Sequence, residues 1–258
     1  MRIDLRLKEE FNISRQKAQM LISEGAVLVN NKPVSKPAFD VSENDVVKIC
    51  DNDALKYVSR GGLKLEKALD CFNISVNNCV CVDIGASTGG FTHVLLKNNA
   101  KKVYAVDVGT NQLAQIIKAD ERVISVENTN IIDFVSTFDE KVDFVCTDVS
   151  FVSVTKILHC IKTLLKAEGL SVILVKPQFE CGREHNKNGI VKDKRVHKNV
   201  LLNVINAVWE NGLEPVDLTV SPIKGGDGNI EYLLKITNSG NTVVNTQLRA
   251  MVERVVRG

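Results

Sequence analysis

Val82-Asp83-Ile84-Gly85-Ala86-Ser87-Thr88-Gly89-Gly90-Phe91-Thr92 is the stretch that decides how this chain of 258 residues folds. An apolar run, Val80 to Ile84, ends in a glycine-rich turn and passes into a helical pattern. A strand, a tight loop and a helix N-terminus in that order predict a doubly wound α/β sheet with a ligand crevice at the carboxyl ends of its strands. The glycines read G-x-x-x-G-G, not the G-x-G-x-x-G of dinucleotide folds. Asp83 at the strand end would repel a pyrophosphate, whereas it suits a ligand with a sulfonium and an amino group, S-adenosylmethionine. The bland alternative is that any α/β protein needs glycines in its first turn.

The next strand, Val103-Tyr104-Ala105-Val106-Asp107, also ends in an acid, able to accept from both hydroxyls of a ribose. Dinucleotide folds place an acid there too, so the glycine pattern and Asp83 carry the discrimination. The candidate cofactor contacts are Asp83, Gly85, Ala86, Ser87, Gly89, Gly90, Phe91, Asp107 and, ending a later strand, Asp148.

From residue 59 onward strands alternate with helices. Helical patterns run over Leu63–Cys71, near 111–118, over 154–166 and from about 193 to Glu210. Strands are predicted at 80–84, 102–107, 123–126, 142–148 and 171–176, and a final pair at 215–221 and 230–237.

Hydrophobic content of 44% and charged content of 25% fit an ordinary globular protein, and the length predicts one large domain or two unequal ones. A net charge of +2 does not announce nucleic-acid binding, so any basic surface must be local. The seven cysteines include no C-x-x-C, and Cys79 and Cys81 alternate with valines as small hydrophobes on a strand. No metal is expected from these spacings, and free thiols suggest a reducing compartment. With no apolar leader and no run long enough to span a bilayer, a cytoplasmic protein is expected.

Residues 1–50 read as a small unit: a first helix around Leu5, Leu7 and Phe11, a second capped by Ser14 and ended by Gly25, then short strands with a turn at Asn30-Asn31. The polar stretch Asp51–Lys56 divides the chain into domains 1–56 and 57–258. The pattern Ser14-Arg15-x-x-Ala18-x-x-Leu21-Ile22-x-x-Gly25-x-Val27-x-Val29-Asn30, followed by Lys32-Pro33-Val34, resembles the alpha-L RNA-binding module. That resemblance implies structured RNA, read mainly by shape and backbone. Arg15, Lys17, Lys32 and Lys36 are the candidate phosphate contacts, with Arg60, Arg183 and Lys187 further along. Ten basic and nine acidic residues in 1–60 could equally form a solvated face. The segment Arg183–Lys198, with six basic and two acidic residues, reads as an RNA-gripping loop or as a charged connection.

Four ionisable residues sit at telling places: Lys64 on the helix before the cofactor strand, Asp148 and Lys176 at strand ends, and Glu231 at the start of the last strand. Singly, Lys64 could lie on a helix surface, Asp148 could be a turn residue or cap the helix that follows, and Glu231 could pair with Lys176. Together they match the Lys-Asp-Lys-Glu set of the FtsJ-like ribose 2′-O-methyltransferases. The whole chain resembles the TlyA family, which joins an alpha-L module to such a domain, through Ser59–Leu65, Val82–Thr92, Asp148-Val149-Ser150-Phe151, Val175–Glu180 and Gly228–Tyr232. The resemblance implies a small α+β alpha-L domain followed by a Rossmann-like, seven-stranded methyltransferase domain. It further implies S-adenosylmethionine as cofactor and ribosomal RNA, at cytidine, as substrate.

A ribose 2′-hydroxyl needs a base at hand as it attacks a sulfonium methyl. Lys176 can serve, because a second cation, Lys64, and partial burial both favour a neutral amine. Base methylation fits less well: the Asn/Asp-Pro-Pro-aromatic position reads Asp148-Val149-Ser150-Phe151, and no Pro-Cys occurs. A membrane-active hemolysin, a label attached to this family, has only Leu248–Val256 as a candidate segment. A non-catalytic RNA-binding factor is opposed by the four intact positions.

Overall fold

The computed structural model describes residues 1–23, 26–49, 56–186, 189–225, 228–240 and 246–257. The chain divides into two units, Met1–Arg60 and Gly61–Gly258.

In the first unit, α1 (Ile3–Glu10) and α2 (Arg15–Ser23) accompany a sheet of β1 (Val27–Val29), β2 (Lys32–Pro33) and β3 (Val47–Ile49) in the order β2-β1-β3. Ser14 caps α2, its Oγ accepting from the backbone N–H of Lys17 at 3.1 Å. Asn30 and Asn31 form the β1–β2 turn with φ of 51° and 64°, as a two-residue hairpin requires. Ile3, Leu7, Ala18, Leu21, Ile22, Val27 and Val47 make the core. Gly25 and Asp51–Asp53, where a helix end and a linker are expected, lie outside the described residues.

The second unit begins with α3 (Gly61–Cys71), β4 (Val80–Ile84), α4 (Gly90–Lys97), β5 (Lys102–Val106), α5 (Gln115–Lys118), β6 (Val123–Val126), α6 (Ile131–Thr137) and β7 (Val142–Thr147). A 3₁₀ turn (Val154–Ile157), α7 (Leu158–Leu164), β8 (Leu165–Val175) and α8 (Pro177–Glu180) follow. A 3₁₀ turn at Arg183–His185, α9 (Lys194–Glu210), β9 (Glu214–Val220), β10 (Tyr232–Thr237) and α10 (Thr246–Arg257) complete it. The seven strands run in the order β6-β5-β4-β7-β8-β10-β9. β4 to β8 are parallel, and β10 is antiparallel to both β8 and β9. Strands buried on both faces explain the continuous apolar runs from which they were legible.

Register positions the site. Ile84 lies opposite Val106 on one side and Thr147 on the other, so Gly85, Asp107 and Asp148 leave the sheet at one level. Tyr232 pairs with Val175, which sets Glu231 beside Lys176.

Several stretches differ from the sequence reading. The helix expected over 154–166 is a 3₁₀ turn and a short helix, and β8 already begins at Leu165. Leu158, Ile161, Leu164 and Leu165 are all buried at helical spacing, but Glu168 turns left-handed (φ 61°) and the β7–β8 register shifts there. Near 111–118 only Gln115–Lys118 is α-helical, after Asn111 at φ 54°. Helices α6, α8 and α10 are not expected from the sequence, α8 standing where a loop to about 193 is read. Leu248 and Val252 of α10 are buried in the main core, so the segment considered for membrane activity uses its apolar face in the fold. Among the described residues no helix is long and apolar enough to cross a membrane.

Candidate active site

A cavity of about 680 Å³ opens where β4, β5, β6 and β7 end. Gly85, Ser87, Asp107 and Asp148 of the expected cofactor set line it. Asp107 Oδ2 accepts from the Ser87 N–H at 2.8 Å and Oδ1 from the Gly109 N–H at 2.7 Å, which fixes the carboxylate against the glycine-rich turn. Gly85 has φ +80°, and a Cβ there would come within 2.7 Å of the Asp148 carbonyl oxygen. Only glycine lets the two loops approach so closely.

The rest of the expected cofactor set lies off the wall. Asp83 is fully buried, accepting from Thr92 Oγ1 at 2.6 Å and from the Cys146 thiol at 3.7 Å. Burial pushes its carboxyl up to about 7, against the Thr92 hydrogen bond. Ala86, Gly90 and Phe91 are buried, and Gly89, at φ +90°, is the N-cap residue just before α4. These residues shape the turn and do not line the cavity.

Sequence reasoning missed Thr129–Ile132, Gln112 and Val149–Val152, all of which line the cavity. Thr129 and Asn130 follow β6, so the strand-end rule that selected Asp107 would have found them. Exposed Val108 and Ile132 make its wall apolar. The volume and the apolar lining suit a small organic ligand. Asp107 and Asp148 against one lysine, Lys156, favour a cationic ligand over a phosphate. These features fit S-adenosylmethionine.

Beside the cavity stand the four ionisable residues. Lys64 projects from α3 and its Nζ donates to Glu231 Oε2 at 2.6 Å, with Asp148 Oδ2 at 3.7 Å. Lys176 Nζ lies 2.5 Å from Asp148 Oδ1 and donates to Ser150 Oγ at 2.7 Å. Asp148 therefore stands between the two lysines. Lys64, Lys176 and Glu231 are buried, which settles Lys64 against a surface position. Glu231 pairs with Lys64, correcting the alternative in which it pairs with Lys176. Gln178 Nε2 reaches Glu231 Oε1 at 3.4 Å, and a Cβ on Gly225 would come within 2.5 Å of that oxygen.

Another residue passed over in the sequence is Glu180. Its Oε1 accepts from the Val154 N–H at 2.8 Å and its Oε2 from Ser153 Oγ at 2.5 Å, tying α8 to the loop that carries Asp148. Burial raises its carboxyl, against those two bonds. On the same loop Phe151 is 91% exposed at φ 64°, its ring 5.2 Å from that of Phe179.

In the first unit Asp4 is buried and accepts from Arg2 Nε at 2.9 Å, Arg15 Nε at 3.0 Å and Gln19 Nε2 at 3.0 Å. Burial opposes its charge, but hydrogen bonds from Arg2, Gln19 and Arg15 outweigh that and hold the carboxyl well below the usual range. Arg15 is thus half-exposed and held by Asp4, Lys32 and Lys36 are exposed, and Lys17 Nζ donates to the Tyr57 carbonyl at 2.8 Å. Arg60 ends the unit, Arg183 begins the second 3₁₀ turn, and Lys187 lies outside the described residues. Among the described residues no group of three or more metal-ligating side chains comes together.

The sheet order and the cavity at the parallel strand ends define an α/β fold of the methyltransferase class. The chain belongs to the FtsJ-like methyltransferase family, whose model matches residues 57–237, and an S4 domain matches residues 1–47. It is 46% identical over 237 residues to hemolysin A of Brachyspira hyodysenteriae, covering 90% of this chain and 98% of that protein. It is 39% identical over 223 residues to the 16S/23S rRNA (cytidine-2′-O)-methyltransferase TlyA of Mycobacterium tuberculosis, covering 86% of this chain and 83% of that protein. A solved structure from Streptococcus thermophilus that carries the name hemolysin matches at 40% identity and a TM-score of 0.78, over 100% of this chain and 96% of that one.

Proposed function

We propose that this protein transfers a methyl group from S-adenosylmethionine to the 2′-hydroxyl of a cytidine ribose in ribosomal RNA, in the cytoplasm. The observation that carries this reading is the Lys64–Asp148–Lys176–Glu231 cluster beside the cavity. The similarity to a named rRNA (cytidine-2′-O)-methyltransferase supplies the substrate class. Bound in the cavity, S-adenosylmethionine supplies an electrophilic methyl whose sulfur leaves as a neutral thioether.

The protein's part is binding, alignment and one proton. Lys176 accepts the proton as the 2′-oxygen forms its bond to the methyl carbon, and Asp148 Oδ1 faces the charge that Nζ gains. Lys64, fixed by Glu231, is a preorganised cation next to the developing alkoxide. Alignment of oxygen, carbon and sulfur supplies much of the remaining acceleration. The unit of residues 1–60 supplies the grip on RNA through Arg15, Lys32 and Lys36, and 183–198 adds a second basic contact.

Incubating ribosomal subunits with labelled S-adenosylmethionine and the protein, then mapping 2′-O-methyl groups, tests the reading. Methylated cytidine is expected with the natural protein and not with Lys176→Ala, at unchanged cofactor affinity. Label on a base, or a Lys176→Ala protein of near-natural single-turnover rate, overturns it.

A further inference from the structure

We propose that Ser150 is a positioning residue for this reaction, orienting the lone pair of the Lys176 amine toward the ribose hydroxyl; this rests on the function proposed above. A neutral amine has two hydrogens and one lone pair. Two acceptors face Nζ of Lys176: Asp148 Oδ1 at 2.5 Å and Ser150 Oγ at 2.7 Å. With both hydrogens engaged, the lone pair takes the one tetrahedral position left. With Asp148 alone, the second hydrogen and the lone pair exchange places by rotation about Cε–Nζ. Ser150 is itself exposed, so its own hydrogen finds water and its oxygen stays an acceptor toward the lysine.

The loop is built to hold that hydroxyl still. The Asp148 N–H donates to the Ile84 carbonyl at 3.0 Å, and Gly85 packs against the Asp148 carbonyl. At the other end Glu180 holds Ser153 and Val154. Ser150 sits between these two anchors and lines the cavity.

The proton balance makes the contact count in the transition state. The 2′-O–H bond breaks and its proton goes to Nζ; the oxygen forms its bond to the methyl carbon as the carbon–sulfur bond breaks with its electrons on sulfur. Nζ becomes an ammonium, so the bond to Ser150 passes from neutral to charge-assisted while the reaction proceeds. An interaction that strengthens toward the transition state raises the rate and not the binding of substrate.

The test is single-turnover methylation of ribosomal subunits by the full chain carrying Ser150→Ala or Ser150→Thr. Ser150→Ala is expected to slow the saturated rate by about ten- to a hundredfold, the weight of a hydrogen bond to a charged group. Half-saturating RNA and cofactor affinity should stay within about twofold of the natural protein. Ser150→Thr keeps the hydroxyl at an exposed position and should recover the rate to within about threefold. A Ser150→Ala rate equal to the natural one overturns the inference. So does a threonine variant as slow as the alanine one, or a loss that falls on RNA affinity and leaves the rate. If the natural protein itself methylates no ribose, the proposed function fails first and takes this inference with it.

Discussion

Lys64 donates to Glu231 at 2.6 Å although 167 residues separate the two in sequence. One belongs to the first helix of the larger unit, the other to the residue before its last strand. Both are buried, so the pair carries structural weight as well as chemistry.

Removing one partner of a buried pair leaves the other charge uncompensated. Glu231→Ala should lower stability by about 3 kcal/mol. Glu231→Gln, which keeps an acceptor for Lys64, should lose less. Urea unfolding of both variants measures this, and an unchanged midpoint for Glu231→Ala would refute the importance of the pair. Methyl transfer should fall in both.

Asp107 is expected to hold the cofactor ribose, and it already holds the turn through Ser87 and Gly109. Asp107→Ala should weaken S-adenosylmethionine by one to two orders of magnitude, from loss of ~1.5–3 kcal/mol of hydrogen bonding to a charged group. Calorimetric titration decides, and equal affinity would remove Asp107 from the site.

Asp83 gives a pH dependence of opposite sign to that of a salt-bridged carboxylate. Burial pushes its carboxyl up to about 7 in the fold, from an ordinary value of 3.8. Between these values the folded protein binds a proton that the unfolded chain has released, so stability falls as pH rises from about 4 to about 7 and then levels off. Asp83→Asn removes that slope. Unfolding free energies of both proteins across this range give the difference, which should grow in favour of the asparagine variant as pH rises. A constant difference would place the carboxyl in its ordinary range.

Deleting residues 1–60 removes the smaller unit whole. The remaining chain should fold and bind S-adenosylmethionine but fail to methylate ribosomal RNA. Its residual RNA binding should also depend less steeply on salt, because phosphate contacts set that slope. Methylation of the same nucleotide at near full rate would assign RNA recognition to 183–198 instead.

The parallel sheet was legible because each strand is a nearly unbroken apolar run, and Lys64, Asp148, Lys176 and Glu231 because charged residues interrupt or bound such patterns at strand ends. Ser14 was legible as a cap because its hydroxyl acts locally, on the backbone N–H of Lys17 three residues further on. What local pattern could not supply was competition between elements. Leu164 and Leu165 continue a helical spacing, yet pairing with Val142 draws Leu165 into β8. Helix α6 is only seven residues long, and its β-branched Ile131, Ile132 and Val135 favour a strand as readily as a helix, though Asn130 caps it. Glu180 was hidden because its partners, Ser153 and Val154, stand more than twenty residues away.

Strand order also bears on biosynthesis. β9 precedes β10 in the chain, yet β10 lies between β8 and β9 and pairs with both. While the chain is being made, at ~5–20 residues per second, β9 waits with no strand to pair with and Lys64 with no Glu231. Only when the segment from Asn229 to Thr237 emerges do the sheet and the ion pair close, in one event. A polypeptide stopped short of it keeps the parallel strands but lacks the antiparallel edge and the ion pair, so assembly of the candidate catalytic cluster doubles as a check that synthesis has reached the final strand.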